Sequence, residues 1–259
     1  MTHRLLDDHR TVVIGAGGTL GRAICAAYAE QGASVVALDC DAAAATAAIR
    51  ELPGSHHDAA AIDVRLEESV ARAAEIAWDR GSVDSVVYAA GVAATGDVAT
   101  LDPVAWRAVL TVNLDGAYLC ARAFTARLLA EGRPASLAFL ASTAGLRGEA
   151  GAAAYCASKF GLIGLVRCLA LEIADRGLRA NAICPGNVEG PMLASVAAAQ
   201  ARRTSRDPAD VLRGYAEQVP RGRLVDPLEV GRATVWLASP AASAINGVAL
   251  PIDGGTLAA

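Results

Sequence analysis

Short apolar runs alternate along the chain with longer segments in which apolar residues recur at helical spacing. The runs at 11–14, 34–38, 58–62, 83–88, 136–140, 179–183 and 248–251 are nearly continuous in hydrophobic residues, as strands buried on both faces must be. Between them, 19–31, 41–52, 66–79, 103–130, 152–176 and 227–238 carry the helical period. Regular strand–helix alternation predicts an α/β fold: a single doubly wound Rossmann-type domain over residues 1–259, with about seven parallel strands and helices on both faces. One stretch breaks the rhythm. Residues 191–219 are too long for an ordinary connection and cluster Arg202, Arg203, Arg206 and Asp207. A substrate lid and a solvated excursion both fit it.

Composition narrows the class. The 259 residues are 54% hydrophobic and carry a net charge of −4, which favours a well-buried core and argues against a nucleic-acid partner. Arg4, Asp7, Asp8 and Arg10 precede the first apolar run, so that region does not read as a secretory signal. The most apolar stretch, 162–174, is interrupted by Arg167 and Glu172 and does not read as a membrane span. A cytoplasmic location is expected. Cys25, Cys40, Cys120, Cys156, Cys168 and Cys184 form no C-x-x-C pair and read as thiols in a reducing compartment. The histidines, His3, His9, His56 and His57, all lie in the first quarter of the chain, which leaves a serine–histidine hydrolase or a histidine-based zinc site without support. No metal is expected.

The first apolar run leads into Gly15-Ala-Gly-Gly18-Thr19-Leu20-Gly21, and a helical pattern follows at once. Glycines allow a tight turn and close approach of a phosphate, and the helix N-terminus offers free N–H groups to it. A glycine-rich turn alone is weak evidence; its place between a strand and a helix is what points to a dinucleotide. Asp39 ends the second run. It can accept from the adenosine ribose hydroxyls and would repel a 2′-phosphate, which favours NAD over NADP, and no Arg or Lys follows before Arg50. The alternative is that Asp39, with Asp41, caps the next helix.

Tyr155 and Lys159 stand four residues apart in a helical pattern and therefore share a face. An ammonium beside a phenol favours the phenolate, so the pair is a candidate general acid/base. Ser142 follows the run 136–140, at the strand end where open α/β sheets bind ligands; read alone, it is an ordinary loop serine or cap.

Taken together, Gly15–Gly21, Asp39, Asp63-Val64, Ala89-Ala90-Gly91, Asn113, Ser142, Tyr155-x-x-x-Lys159 and Pro185-Gly186 resemble, in order, the short-chain dehydrogenase/reductase family. The stretches 141–145, 154–159 and 181–186, and the tail from Pro220 to Gly255, extend the likeness to nearly the whole chain. The resemblance implies Tyr155 as proton donor or acceptor, Lys159 on the nicotinamide ribose, Ser142 on the substrate oxygen and Asn113 in a water relay to Lys159. It implies adenine contacts at Asp63 and Val64, and Ala90 and Gly91 as further cofactor positions. Pro185, Gly186 and Val188 would flank the nicotinamide. The sequence departs from the family pattern at Ile14, Thr19, Tyr88-Ala89 and Gly190. The expected activity is NAD-dependent interconversion of a secondary alcohol (a sugar, polyol or cyclic alcohol) and its ketone. Reduction of a 3-oxoacyl thioester is the alternative, and a non-catalytic nucleotide-binding scaffold is disfavoured by the complete Asn113/Ser142/Tyr155/Lys159 set. The apolar circumference of 152–176, through Phe160, Leu162, Ile163, Leu165, Val166, Leu169 and Leu171, suggests a second covering surface, and with the resemblance predicts a homotetramer.

Overall fold

The computed structural model describes residues 4–258, so His3 lies outside the described residues. Seven strands form one parallel sheet: β1 (Arg10–Ile14), β2 (Ser34–Asp39), β3 (Asp58–Ala61), β4 (Ser85–Tyr88), β5 (Ala135–Leu140), β6 (Leu178–Pro185) and β7 (Ala249–Ile252), in the order β3-β2-β1-β4-β5-β6-β7. All pairings are parallel. The winding reverses between β1 and β4, which opens a crevice above the C-terminal strand ends.

Because side chains alternate across a strand, each strand feeds two cores. Val12, Ile14, Val36, Leu38, Val86 and Tyr88 pack on the face covered by α3 (Glu67–Trp78), α5 (Gly116–Glu131) and α6 (Ala153–Ile173). Val13, Val35, Ala37 and Val87 pack on the other, under α1 (Thr19–Glu30), α2 (Ala42–Ile49) and α9 (Pro227–Ala238). Burial on both faces is why the central strands β1, β4 and β5 read as continuous apolar runs, while the edge strands β3 and β7 are only partly buried. At the opposite end of the sheet from the crevice, buried Arg10 ties β1 to β3 and α3 through Asp58 at 2.8 Å and the Ala77 carbonyl at 3.1 Å.

Two segments differ from their sequence reading. The helix expected over 103–130 is α4 (Pro103–Leu110), a π-helical turn (Thr111–Asp115) and α5. A π turn holds one extra residue, which shifts the phase of the apolar stripe by about 100° but leaves the segments on either side helical in period, so the whole window reads as one helix. It is braced by Tyr88, whose hydroxyl donates to the Val112 carbonyl at 2.5 Å. The segment 191–219, to which the sequence pattern assigns no element, contains α7 (Pro191–Thr204) and α8 (Pro208–Glu217), which pack through Ala197, Ala201 and Val211. Pro191 and Pro208 occupy first-turn positions, where a missing N–H costs nothing, and Asp207 caps α8 by accepting from Ala209 N at 2.7 Å.

Candidate active site

The loop between β1 and α1 closes tightly because it lacks side chains. Gly15 has φ +84°, and a Cβ there would lie 2.5 Å from Ala90 N; one on Gly21 would lie 2.0 Å from Gly15 O. The α1 N-terminus begins at Gly18, which has no side-chain cap, so its first N–H groups point into the crevice. The Asp39 carboxylate accepts from Gly17 N at 2.8 Å and from Asp41 N at 3.1 Å, which fixes it beside the loop. Asp41, not Asp39, caps α2, accepting from Ala43 N and Ala44 N. Capping of α2 therefore falls to Asp41, while Asp39 fixes the glycine loop.

The other wall holds the chemistry. β5 delivers Ser142, whose Oγ accepts from Ala144 N at 3.1 Å and caps a short 3-10 turn. α6 places Tyr155 and Lys159 on the same side, with Lys159 Nζ 5.5 Å from the Tyr155 ring centre. Lys159 is the only lysine in a chain whose other 22 basic side chains are arginines, out of 23 Lys and Arg in all. It is buried, and its Nζ donates to the Leu140 carbonyl at 2.7 Å. Burial lowers its pKa to about 8. Burial likewise raises the Tyr155 phenol to about 12, against a smaller lowering by the Ser142 hydroxyl beside it and a rise from the Glu149 carboxylate. In this arrangement desolvation outweighs any help from Lys159, because the ammonium is turned to Leu140 rather than to the phenol oxygen.

Asn113 lies within the π turn and is fully buried. Its side chain accepts from Val92 N at 2.8 Å and donates to Val92 O at 2.9 Å and to Ser158 Oγ at 3.0 Å. Ser158 in turn donates to Tyr155 O at 2.7 Å. The π turn thus locks the end of β4 to the helix carrying Tyr155 and Lys159.

The crevice is a cleft of about 360 Å³. Of the residues expected at the site, Gly18, Thr19, Leu20, Gly21, Gly91, Ser142, Tyr155, Pro185, Gly186 and Val188 line it. Asn113 and Lys159 stand immediately behind Gly91, where a Cβ would be 3.5 Å from Asn113 Oδ1 and 3.6 Å from Lys159 Nζ. Gly15 and Ala90 form the floor beneath the loop. Asp39, Asp63 and Val64 do not line it; they sit farther along the strand ends, where the backbone of Ile62 bonds Asp39. The Asp63 carboxylate is gripped by Arg65 at 2.9 and 2.7 Å, which holds its pKa below the usual range, and the Val64 side chain is buried in the core. A dinucleotide fits this frame, with pyrophosphate room over Gly18 and a carboxylate at the β2 end.

A family model described as enoyl-(acyl carrier protein) reductase matches residues 15–256. The chain belongs to the short-chain dehydrogenase/reductase family. Its relatives in that family include galactitol 2-dehydrogenase (L-tagatose-forming) of Cereibacter sphaeroides, 35% identical over 96% of this chain and 95% of that protein. D-threitol dehydrogenase of Mycolicibacterium smegmatis is 37% identical over 96% and 93%. Among solved structures, levodione reductase superposes with a TM-score of 0.91 at 26% identity, covering 98% of this chain and 99% of that one. Actinorhodin polyketide ketoreductase with NADPH superposes with a TM-score of 0.91 at 30% identity, over 96% and 97%. Membership in this dehydrogenase/reductase family makes the chain an oxidoreductase that uses a nicotinamide cofactor.

Two departures from the family pattern meet each other. A Cβ on Gly190 would lie 3.1 Å from Thr19 Oγ1 and 3.2 Å from its Cγ2, so the Thr19 side chain fills the space that Gly190 leaves free. A third, Tyr88, braces the π turn. Several residues of the cleft escaped the sequence reading. Glu149, Thr95 and Tyr215 line it. Arg22 holds Gly17 O at 2.8 Å, and Arg65 reaches the same end of the sheet from β3, so cations approach the Asp39 region across the fold rather than along the chain. Arg203 of α7 pairs with Asp97 and covers Gly151, where a Cβ would lie 2.0 Å from its Nη1. None of these belongs to a local motif, so spacing carried no signal for them.

Proposed function

We propose that this chain is an NAD-dependent oxidoreductase that interconverts a secondary alcohol, in a sugar, polyol or cyclic alcohol, with its ketone. The observation that carries the reading is the convergence of Ser142, Tyr155 and the single lysine, Lys159, on one wall of the cleft. Bound nicotinamide supplies the hydride acceptor or donor. Tyr155 takes the proton from the carbinol oxygen, or returns it to the carbonyl oxygen. Ser142 donates to that same oxygen as charge develops on it. Lys159, released from Leu140 O, holds the cofactor ribose and favours the phenolate. Asn113 contributes a water path to Lys159, through a backbone that the π turn keeps out of regular helical bonding. Pro185, Gly186 and Val188 border the nicotinamide, while Asp63 and Val64 border the adenine.

Asp39 supports NAD over NADP, because a carboxylate fixed at the end of β2 accepts ribose hydroxyls and repels a 2′-phosphate. The polyol and diol dehydrogenases among the relatives support the substrate class. The same proposal includes one domain with residues 191–219 as a lid, a cytoplasmic location, for which six free thiols speak, and a homotetramer. Phe160 and Leu171 on α6 and Tyr118 on α5 are exposed, which supports a covering copy. Incubating the protein with NAD or NADP and a panel of polyols, and following reduced cofactor by absorbance, tests the reaction and the cofactor together. Turnover with NADP alone, or with no alcohol, overturns it. Light scattering after size exclusion tests the tetramer; a monomer at micromolar concentration overturns that part.

A further inference from the structure

Glu149 sits in the cleft with Ser142, Tyr155 and Tyr215, in the loop that precedes α6. It is exposed at the rim of the cleft, where the neighbouring wall desolvates it enough to raise its pKa. The carboxylate lies close enough to Tyr155, Tyr215 and Cys156 to raise the pKa of all three. Arg147 acts on it electrostatically, but among the described residues it has no ion pair and its side chain accepts no hydrogen bond. The wall around it is largely apolar, with Ala93, Ala94, Met192, Leu193 and Val196. A carboxylate at the rim with no protein donor is left to water, and a ligand that brings donors can take the water's place.

We propose that Glu149 is a specificity residue that accepts hydrogen bonds from a hydroxyl of the substrate other than the reacting one, so that the cleft selects neutral polyols. The proposal rests on the alcohol dehydrogenase reading above and deepens it. A substrate carboxylate is disfavoured by repulsion between like charges at the rim. An ammonium is disfavoured for a different reason. A cation next to the carbinol carbon opposes loss of hydride, which leaves that carbon electron-poor. Neutral hydroxyls offer donors with neither penalty. The apolar wall then meets the carbon chain.

The test compares threitol, 2-butanol, 3-hydroxybutyrate and 1-amino-2-propanol as substrates with NAD, in the wild type, Glu149→Ala and Glu149→Gln. The expected wild-type order puts threitol ~10-fold or more above 2-butanol in kcat/KM, with the two charged alcohols lowest. Glu149→Ala collapses the threitol-to-butanol ratio toward one, mainly through KM for threitol. Glu149→Gln keeps part of the ratio and improves 3-hydroxybutyrate. NADH affinity, read by fluorescence, reports whether each variant is folded. A second arm measures threitol binding to the NADH-loaded protein by calorimetry and needs no turnover. An unchanged ratio in Glu149→Ala overturns the proposal, as does equal threitol affinity in wild type and variant, no threitol binding to the wild type, or preference for either charged alcohol. Failure to oxidise any alcohol strikes the reaction assignment instead, and the binding arm still reads Glu149.

Discussion

The glycine loop at 15–21 and the helices α7 and α8 face each other across the cleft, and they are held by unlike forces. At its two ends the loop is shaped by backbone against backbone, Gly21 against Gly15 O and Gly15 against Ala90, while Gly17 N is held by the Asp39 carboxylate. At Gly15 and Gly21 nothing can yield by turning a side chain. The α7–α8 pair has a small core of alanines and one valine, and is tied to the body of the protein by an exposed ion pair, Arg203 to Asp97. Such a tie is weak and screened by salt. Under the proposed lid reading the difference assigns tasks: a cofactor common to many reactions would meet a wall with one geometry, and a substrate would meet a wall able to open. Thr19 and Gly190 are where the two walls touch.

The largest effect should come from chemistry rather than from either wall. Tyr155→Phe keeps the ring and removes the proton carrier, and kcat should fall ~10²-fold or more with NADH binding unchanged. Wild-type turnover in this variant refutes the assignment. With the phenol raised to about 12, alcohol oxidation, which needs the phenolate, should accelerate as pH rises above neutral, while ketone reduction, which needs the phenol, should not. Next comes the rigid wall. Gly21→Ala places a methyl 2.0 Å from Gly15 O, and should cost ~3 kcal/mol or more of stability in thermal melts, with NADH binding lost. A variant that melts like the wild type would show that the loop can yield after all.

The contact between the walls can be measured as a cycle. Gly190→Ala should weaken NADH binding, and the same change made in a Thr19→Gly background should cost ~1 kcal/mol less, since the methyl no longer meets Thr19. Additive effects would show that the two positions are independent. The lid side should respond more gently. Asp97→Ala should raise hydrogen exchange across α7 and α8 and lower stability by no more than ~1 kcal/mol, and high salt should mimic it. Exchange that is already slow, and is unmoved by salt or ligand, would make this segment fixed structure. The smallest effect concerns α9. Arg223, the Asp226 N–H and Arg221 hold Glu229 down to about 2. A depressed carboxyl contributes stability above its unfolded pKa, near 4.5, and that contribution fades as pH falls from there towards 2. Glu229→Gln should flatten stability across that window by about 1 kcal/mol, discounted for solvent screening.

The sheet was legible because strands buried on both faces leave runs that no other element produces, and every such run became a strand of the single sheet. Tyr155 and Lys159 were legible from their four-residue spacing and Ser142 from the family resemblance, and the structure brings the three to one side of the cleft. What escaped were features carried by contacts between distant residues. The π turn shifts the apolar phase between two segments that each keep a helical period, and its partner Tyr88 lies 24 positions from Val112. Arg203 meets Asp97 from 106 positions away. The α7–α8 pair drew attention only by its length and its arginines, because two short helices joined by residues 205–207 leave no single long apolar period to read.

Lys159 has a consequence for handling the protein in the laboratory. With every other basic side chain an arginine, amine-selective reagents find a single side-chain target, 3% exposed at the back of the cleft. Coupling to aldehyde or succinimidyl supports, which normally relies on scattered surface lysines, has none to use among the described residues. Conversely, any mass adduct of a small amine reagent in a peptide spanning 159 records entry to the cleft, so the rate of that single labelling event becomes a built-in gauge of access to the site.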